Sequence, residues 1–149
     1  MHILDLVTIL CVGLMIGTEL AVSVFIHPTI RELDEATQAK ALSLFARTLG
    51  RAMPFWYGAS LALEIVEAYV RRHEATVPLL VIAIVIWIGI IVFTILVMVP
   101  INNKIAQLTP QDLPADWGRS HRKWDTLHRW RVVLLIVAMG LVTYALLAG

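Results

Sequence analysis

The sequence predicts an all-α integral membrane protein: a four-helix bundle with an interfacial amphipathic helix in its first long loop. Three observations predict this fold class. Of the 149 residues, 59% are hydrophobic and only 15% are charged, which is too little polar surface for a water-soluble domain of this size. The apolar residues are collected in four runs, and most charged residues lie in two loops between them. Because every backbone polar group in lipid needs an internal partner, four spans imply four helices.

The four apolar runs cover residues 3–27, 54–70, 77–99 and 130–147. A helix needs about 20 apolar residues to cross the hydrocarbon core, and the first and third runs meet that length. The second and fourth reach it by extending into their aromatic flanks, MPFWY and HRWR, which suit the membrane interface. Neither a linker nor a repeat separates the runs, so we expect residues 1–149 to form a single domain.

The basic residues predict the orientation of the bundle. Loops 28–53 and 100–131 hold ten Lys and Arg residues, whereas the loop between the second and third runs holds only Arg71 and Arg72. The positive-inside rule therefore places both long loops in the cytoplasm and both termini outside the plasma membrane. Because these basic residues flank apolar runs instead of forming a separate patch, nucleic acid is not an expected partner. Cys11 is the only cysteine, which excludes an intrachain disulfide and a cysteine-based zinc site.

Both long loops are predicted to contain helix. Apolar residues recur near helical spacing between Asp34 and Leu49, and Gly50 can form a C-cap. We expect this stretch to lie along the membrane surface as an amphipathic helix. In the third loop, Asp116 can cap a helix that continues through Trp124 directly into the fourth span.

Glu19 and Glu64 are carboxylates inside predicted spans. An ionisable residue at the centre of a span costs about 2.5–3.5 kcal/mol on insertion scales, so it usually faces the bundle interior. Counting about 1.5 Å per residue from His27 and from Pro54 puts both roughly 12–15 Å from the cytoplasmic end. We expect the pair to meet, where it can share a proton, bind a metal or accept hydrogen bonds from a ligand. The alternative is that each is a protonated structural residue bonded to a neighbour.

Histidines near the cytoplasmic ends of the spans are candidate ligands for a metal or a haem. The i, i+4, i+7 spacing of His121, Asp125 and His128 suits a metal site, although the HExxH and ExxH motifs are absent. His27 and His128 are alternatives as axial haem ligands, or as interface residues with no ligand. The cofactor therefore stays open among none, a metal and a haem. The candidate metal ligands are Glu19, Glu64, His27, His121, Asp125 and His128.

Polar and aromatic residues at the same end can complete a site for a flat apolar ligand. Arg131 lies at the mouth of the fourth span, where it can snorkel, pair with a carboxylate or bind an anionic group. The aromatic residues are also typical of membrane-interface belts. The expected substrate-binding residues are His27, Trp56, Tyr57, Asn102, Asn103 and Trp124. The expected catalytic residues are Glu19, Glu64, His128 and Arg131.

Several motifs together resemble the anthrone-oxygenase-like family of small four-helix membrane proteins. The third loop contains VPINN at 99–103, then Pro114, then the pattern DWxxxxxxWDxLHxxR at 116–131. GTELAV at 17–22, FIHP at 25–28 and GRAMPFWY at 50–57 are similar to bacterial members, so the resemblance spans nearly the whole chain. Some fungal relatives are associated with oxygenation of anthrones to anthraquinones without a conventional cofactor. The family's polar positions fall on His27, Asn102, Asn103, Trp124, His128 and Arg131.

Two function classes follow from these residues. The first is a membrane oxidoreductase, an oxygenase acting on an aromatic or quinone-like apolar substrate near the cytoplasmic side. Glu19, Glu64 or His128 would act as general base, with Arg131 and Asn103 stabilising an oxyanion. The second is a non-enzymatic scaffold or a ligand-, haem- or metal-binding subunit. A proton-coupled transporter is a third alternative, although the helices lack the breaks typical of transporter sites. The expected partners are the bilayer, an apolar small molecule and, as an open alternative, further copies of the chain.

Overall fold

The chain is helical along almost its whole length, as the computed structural model shows for residues 2–149, the side chain of His2 excepted. Apart from a bridge between Thr109 and Asp112, this part of the chain contains no β-structure. The prediction of an all-α fold is confirmed. The helices are α1 His2–Ala21, α2 His27–Ile30, α3 Glu35–Val70, α4 Val77–Phe93, α5 Val99–Ala106 and α6 Trp117–Ala148, with a first π-helical turn at Val22–Ile26 and a second at Thr94–Met98.

Three continuous helical segments are long and apolar enough to cross a membrane: Ile3–Ile30, Val77–Ala106 and Trp117–Ala148. They contain the first, third and fourth predicted spans. The predicted second span, residues 54–70, is not among them, and its apolar residues are interrupted by Glu64 and Glu67. The predicted helix of the third loop does continue into the fourth span as α6, although the Asp116 side chain makes no capping hydrogen bond.

The predicted amphipathic helix is not a separate element. It forms the first half of α3, which runs without a break through Pro54. Asp34 begins the helix by accepting a hydrogen bond from the backbone N of Thr37 at 3.0 Å. Hydrogen bonding from the Thr37 side chain, and then from its backbone N, holds the pKa of Asp34 below its usual value. The buried face of this half packs inside the protein instead of on lipid, so an interfacial helix is not confirmed. The residues of this small core are Ile30, Ala39, Leu42, Ala46, Ile105 and Leu108.

Gly50 lies inside α3 and does not end it, contrary to the expected C-cap. A Cβ atom at this position would lie 3.2 Å from Nδ2 of Asn102. The same Nδ2 donates a hydrogen bond to the carbonyl of Ala46, at 3.2 Å. Glycine therefore allows α5 to approach α3 closely enough for its asparagine to bond the neighbouring helix backbone.

The two π-helical turns are explained by the prolines that follow them. In a regular α-helix the Pro28 ring would clash with the carbonyl of Val24, and the Pro100 ring with that of Leu96. Both acceptor residues lie inside a π-helical turn, which widens the backbone at that point. His27 N accordingly donates five residues back to the Val22 carbonyl; the same i−5 bond is repeated one residue before Pro100.

The main core joins α1, α3, α4 and α6 around Trp87, whose indole N–H donates to the carbonyl of Tyr57 at 3.2 Å. Ala83 of α4 and Ala138 of α6 are fully buried there. Small side chains at these positions permit the close helix approach that stabilises packing between membrane helices. The other large aliphatic side chains of this core are Val12, Met15, Ile16, Leu80, Ile90, Leu135, Val142 and Leu146.

At the end of the bundle opposite His27, Arg71 is 1% exposed and contacts three carboxylates. It donates to Asp5 and Glu74 at 2.9 Å each, and to Glu67 at 3.4 Å. Glu67 also accepts a hydrogen bond from Thr8 Oγ1 at 3.0 Å. This cluster, the Arg71 cluster, joins the start of α1 to the end of α3.

Candidate functional site

A cavity of about 300 Å³ lies near the His27 end of the bundle, between α1, α3, the α4–α5 segment and α6. That volume is at the lower end of the range for small-molecule sites. Most of its lining is apolar, which suits a flat hydrocarbon ligand. The polar and aromatic side chains that face it are Thr18, Glu19, Tyr57, Thr94, Asn102, Trp124, His128 and Arg131.

The cavity has a side mouth between α3 and the second π-helical turn. Pro54 and Gly58 on α3, and Ile95 and Val99 on the facing segment, all line the cavity and are also exposed on the outside of the protein. A Cβ atom at Gly58 would meet nothing within 4 Å. The mouth is therefore open on an apolar flank of the bundle.

Glu19 is the buried acid of the cavity. Its Oε1 accepts a hydrogen bond from the Tyr57 hydroxyl at 2.9 Å, and its Oε2 accepts one from Nη2 of Arg131 at 2.7 Å. A carboxylate offers about four acceptor positions, so each oxygen keeps capacity for a further bond. The Glu19 carboxylate can be buried because the arginine neutralises its charge and both the arginine and the tyrosine donate hydrogen bonds to it.

Arg131 connects Glu19 to the second π-helical turn, donating from Nη1 to Thr94 Oγ1 at 3.2 Å. Its guanidinium lies 5.7 Å from the centre of the Tyr57 ring, within cation–π range. Its Nε is buried and has no hydrogen-bond partner within the described residues 2–149. A buried donor left unpaired costs about 1–3 kcal/mol, and the Nε atom has almost no accessible surface, so the parts of Arg131 that line the cavity are its other atoms.

His128 is fixed in one tautomer by its two contacts. Nη2 of Arg131 lies 3.0 Å from its Nδ1, and because arginine can only donate, Nδ1 must accept. The proton is therefore on Nε2, which donates to the backbone carbonyl of Glu19 at 3.2 Å. His128 binds α6 to α1 and holds the arginine in place.

A second polar cluster lies next to the cavity, beside Trp124. The indole ring of Trp124 stacks on both His27 and His128, with ring centres 4.9 and 4.6 Å apart. His27 Nδ1 lies 2.5 Å from Asp125 Oδ1 and 3.2 Å from His121 Nε2. We call His27, His121 and Asp125 the histidine cluster.

The expected meeting of Glu19 and Glu64 does not occur. Glu19 is opposite Tyr57, whereas Glu64 lies seven residues, or about 10 Å, farther along α3. Glu64 is completely buried outside the cavity lining, and neither of its oxygens has a hydrogen-bond partner in the described chain. Equal depth was inferred by counting from Pro54, but that proline does not mark the end of a helix.

The other predicted site residues divide into two groups. Tyr57, Asn102 and Trp124 line the cavity as expected. Trp56 instead donates its indole N–H to the Cys11 carbonyl at 3.0 Å, and Asn103 is exposed. His27 belongs to the histidine cluster. Thr94 was missed, although it is the single hydroxyl residue in the apolar run 77–99.

Of the six candidate metal ligands, the structure brings together His27, His121 and Asp125. Their ligand atoms lie within 4.8 Å of one another, and all three residues are buried. The ring centre of His128 lies 6.3 Å from that of His27, and both nitrogens of His128 contact the Glu19–Arg131 pair instead. Glu19 and Glu64 are likewise outside this group. The expected trio of His121, Asp125 and His128 is therefore wrong in its last member, although the helical spacing is correct.

These features define an all-helical membrane protein with an apolar internal cavity and a buried Glu–Arg pair on its wall. The sequence profile of the anthrone oxygenase family matches residues 41–141, which include Tyr57, Asn102, Trp124, His128 and Arg131. The chain belongs to the anthrone oxygenase family. Comparison with curated proteins and with solved structures finds no match.

Proposed function

We propose that the protein is a four-helix membrane oxygenase that oxidises an aromatic or quinone-like apolar molecule bound in the cavity. The observation that carries the proposal is the buried pair of Glu19 and Arg131 on the wall of an apolar cavity. An acceptor–donor pair of this kind can remove a proton from a carbon and bind the oxyanion that results.

The second half of α3 serves as the second span, which brings the number of spans to four. Its outward side chains are apolar and exposed, as lipid-facing residues are, with Phe55 82% accessible. Its acidic residues Glu64 and Glu67 are buried against the other helices, which is the arrangement expected of ionisable residues in a membrane. With four spans, one domain of residues 1–149 crosses the plasma membrane, and both basic loops are cytoplasmic. The cavity then lies towards the cytoplasmic side.

Glu19 acts as the general base. It removes a proton from an acidic methylene next to an aromatic ring or carbonyl, and the resulting carbanion reduces molecular oxygen. Overall, CH2 and O2 give C=O and H2O: one oxygen atom enters the substrate, the other leaves as water, and two C–H bonds break. Proton transfer by a positioned base contributes about 10²–10⁴-fold to such reactions.

Arg131 stabilises the substrate oxygen. Its guanidinium is held in place because the two terminal nitrogens are bound by Glu19 and Thr94, and Nη1 keeps a second N–H for the substrate oxygen. Removal of one preorganised oxyanion donor costs about 10²–10³ in kcat in known enzymes. Tyr57 and His128 position the pair, and Asn102 and Trp124 complete the wall.

The substrate enters from the bilayer through the side mouth. An apolar aromatic molecule is concentrated in lipid, and the mouth is lined by Pro54, Gly58, Ile95 and Val99, none of which carries a charge. The exposed glycine leaves room for a ring to pass between the helices.

The test uses the full chain in lipid nanodiscs with anthrone as the probe and an oxygen electrode. We expect one O2 to be consumed for each ketone formed. Glu19→Gln and Arg131→Met should each lower kcat by about 10²-fold or more. Arg129→Met, which removes an exposed arginine on the same helix, should leave kcat unchanged. Equal turnover in all three variants overturns the assignment. Anthrone binding that depends on Glu19 but consumes no oxygen would favour a non-enzymatic ligand-binding protein instead.

A further inference from the structure

The histidine cluster contains three ligand atoms around one point. His27 Nδ1, His121 Nε2 and Asp125 Oδ1 are separated by 2.5, 3.2 and 3.6 Å. Each residue is at most 6% exposed. The residues come from α2 and α6, so the point is fixed by the packing of two helices. None of the three lines the cavity.

We propose that His27, His121 and Asp125 bind a single divalent first-row transition-metal cation. Two imidazoles and one carboxylate are a ligand set that zinc and iron accept, with further positions left for water. Ligand atoms about 2.1 Å from a metal are about 3.0–3.4 Å apart at octahedral or tetrahedral angles. Two of the three separations are already close to that range. Only the His27–Asp125 contact must widen, by less than 1 Å.

The three ligand atoms have too few hydrogens for each of their close contacts to be a hydrogen bond. His27 Nδ1 bears one hydrogen at most when neutral, yet it faces both the carboxylate and the second imidazole. When a metal binds all three lone pairs, the neutral imidazole of His27 carries its proton on Nε2 instead of Nδ1, so binding needs a change of tautomer and no net loss of a proton. The metal takes the place of the shared hydrogen and removes the crowding at this point.

Arg31 occupies the other side of the carboxylate. Its Nη2 pairs with Asp125 Oδ2, and its side chain is 39% exposed, so it can withdraw into solvent. In the metal-free protein the guanidinium supplies the positive charge that the carboxylate requires. The metal would bind Oδ1 while Arg31 binds Oδ2, so the two cations repel one another across a single carboxylate, and removal of Arg31 should raise the affinity for the metal.

A route from water reaches the cluster. A surface crevice between the start of α3 and the first turn of α6 is lined by Arg31, Glu35, Gln38 and His121. Arg119 and Arg122 also line it, so entry of a cation is slowed by like charge, and Glu35 offsets part of that charge. The cation reaches the cluster without crossing the apolar cavity.

The experiment measures metal and not turnover, and it does not depend on the proposed reaction. The full chain, without a polyhistidine tag, is stripped with a chelator in detergent and titrated with Co(II), whose visible absorption reports nitrogen and oxygen ligands. We expect about one ion per chain, confirmed by elemental analysis after desalting. His121→Ala and Asp125→Asn should weaken Co(II) binding by about tenfold or more, whereas His73→Ala, an exposed histidine, should leave it unchanged.

Arg31→Gln should bind Co(II) severalfold more tightly than the wild type, because the neighbouring positive charge is gone. This gain cannot result from misfolding, so it keeps the test decisive if a cluster variant fails to fold. Arg131→Met should retain the metal while losing oxygen uptake, which separates failure of this site from failure of the proposed reaction. A wild type that binds no stoichiometric Co(II), or an Arg31 variant with unchanged affinity, overturns the proposal.

Discussion

The buried Glu19–Arg131 pair makes a strong prediction about stability. At 2.7 Å and an effective dielectric constant of about 20, two unit charges attract by about 6 kcal/mol, before the cost of desolvation is subtracted. Removing one partner leaves the other charge buried and uncompensated. We therefore expect Glu19→Gln and Arg131→Met each to lower the free energy of unfolding by about 3–5 kcal/mol.

A double-mutant cycle separates the pair from its surroundings. The double variant removes both charges, so it should be less destabilised than the sum of the single variants, with a coupling energy of about 3 kcal/mol. The assay is reversible unfolding in mixed micelles, followed by the loss of helical circular dichroism. Arg129→Met is the matched control, since this exposed residue lies two positions away on α6. Additive single effects, or single losses below about 1 kcal/mol, would refute the reasoning.

Three further predictions concern other parts of the bundle. Glu64→Leu should raise the unfolding free energy by about 1–3 kcal/mol, because both buried carboxyl oxygens are unpaired, and it should keep oxygen uptake. Loss of uptake in that variant would instead place Glu64 in the site. Gly58→Phe should block the side mouth and raise the KM for anthrone at unchanged stability, while Gly89→Phe, an exposed glycine outside the cavity, should change neither. An unchanged KM in the first variant argues against entry from lipid. Arg71→Met should destabilise the protein by about 3–5 kcal/mol in a thermal melt, because it leaves three carboxylates unbalanced, and Arg72→Met should be neutral. Equal melting temperatures for these two variants would mean that the Arg71 cluster does not contribute to the stability of the protein.

Much of the fold could be predicted because hydrophobicity sets where membrane helices lie. The apolar runs located three of the helical segments, and the acidic cap at Asp34 located the start of α3. The course of α3 could not be predicted, since Gly50 and Pro54 are typical helix breakers. Here the packing of α5 against Gly50 outweighs that local preference, and the helix continues.

The residues on the polar wall of the cavity could be predicted in part, but the contacts between them could not. Burying an ion is costly, so Glu19 and Arg131 were both expected to be functional, and they contact one another. Which residue each of them contacts depends on how the helices are aligned with one another. The spacing of residues within one helix carries no information about that alignment. His121 and His128 share a helix face, yet they are seven residues or about 10 Å apart. His27, which takes the third place in the histidine cluster, comes from a different helix.

The first π-helical turn determines which way His27 points. Eight residues separate it from Glu19, and in an unbroken α-helix eight steps of about 100° would leave the two side chains about 80° apart around the axis. A π-helical turn holds about one extra residue, which rotates everything after it back by about 100°. The two side chains are thereby aligned to within about 20°. A helical wheel drawn from the sequence consequently places every residue after this turn about 100° from its true direction. Deletion of one residue from Val22–Ile26 would turn the imidazole of His27 away from Asp125.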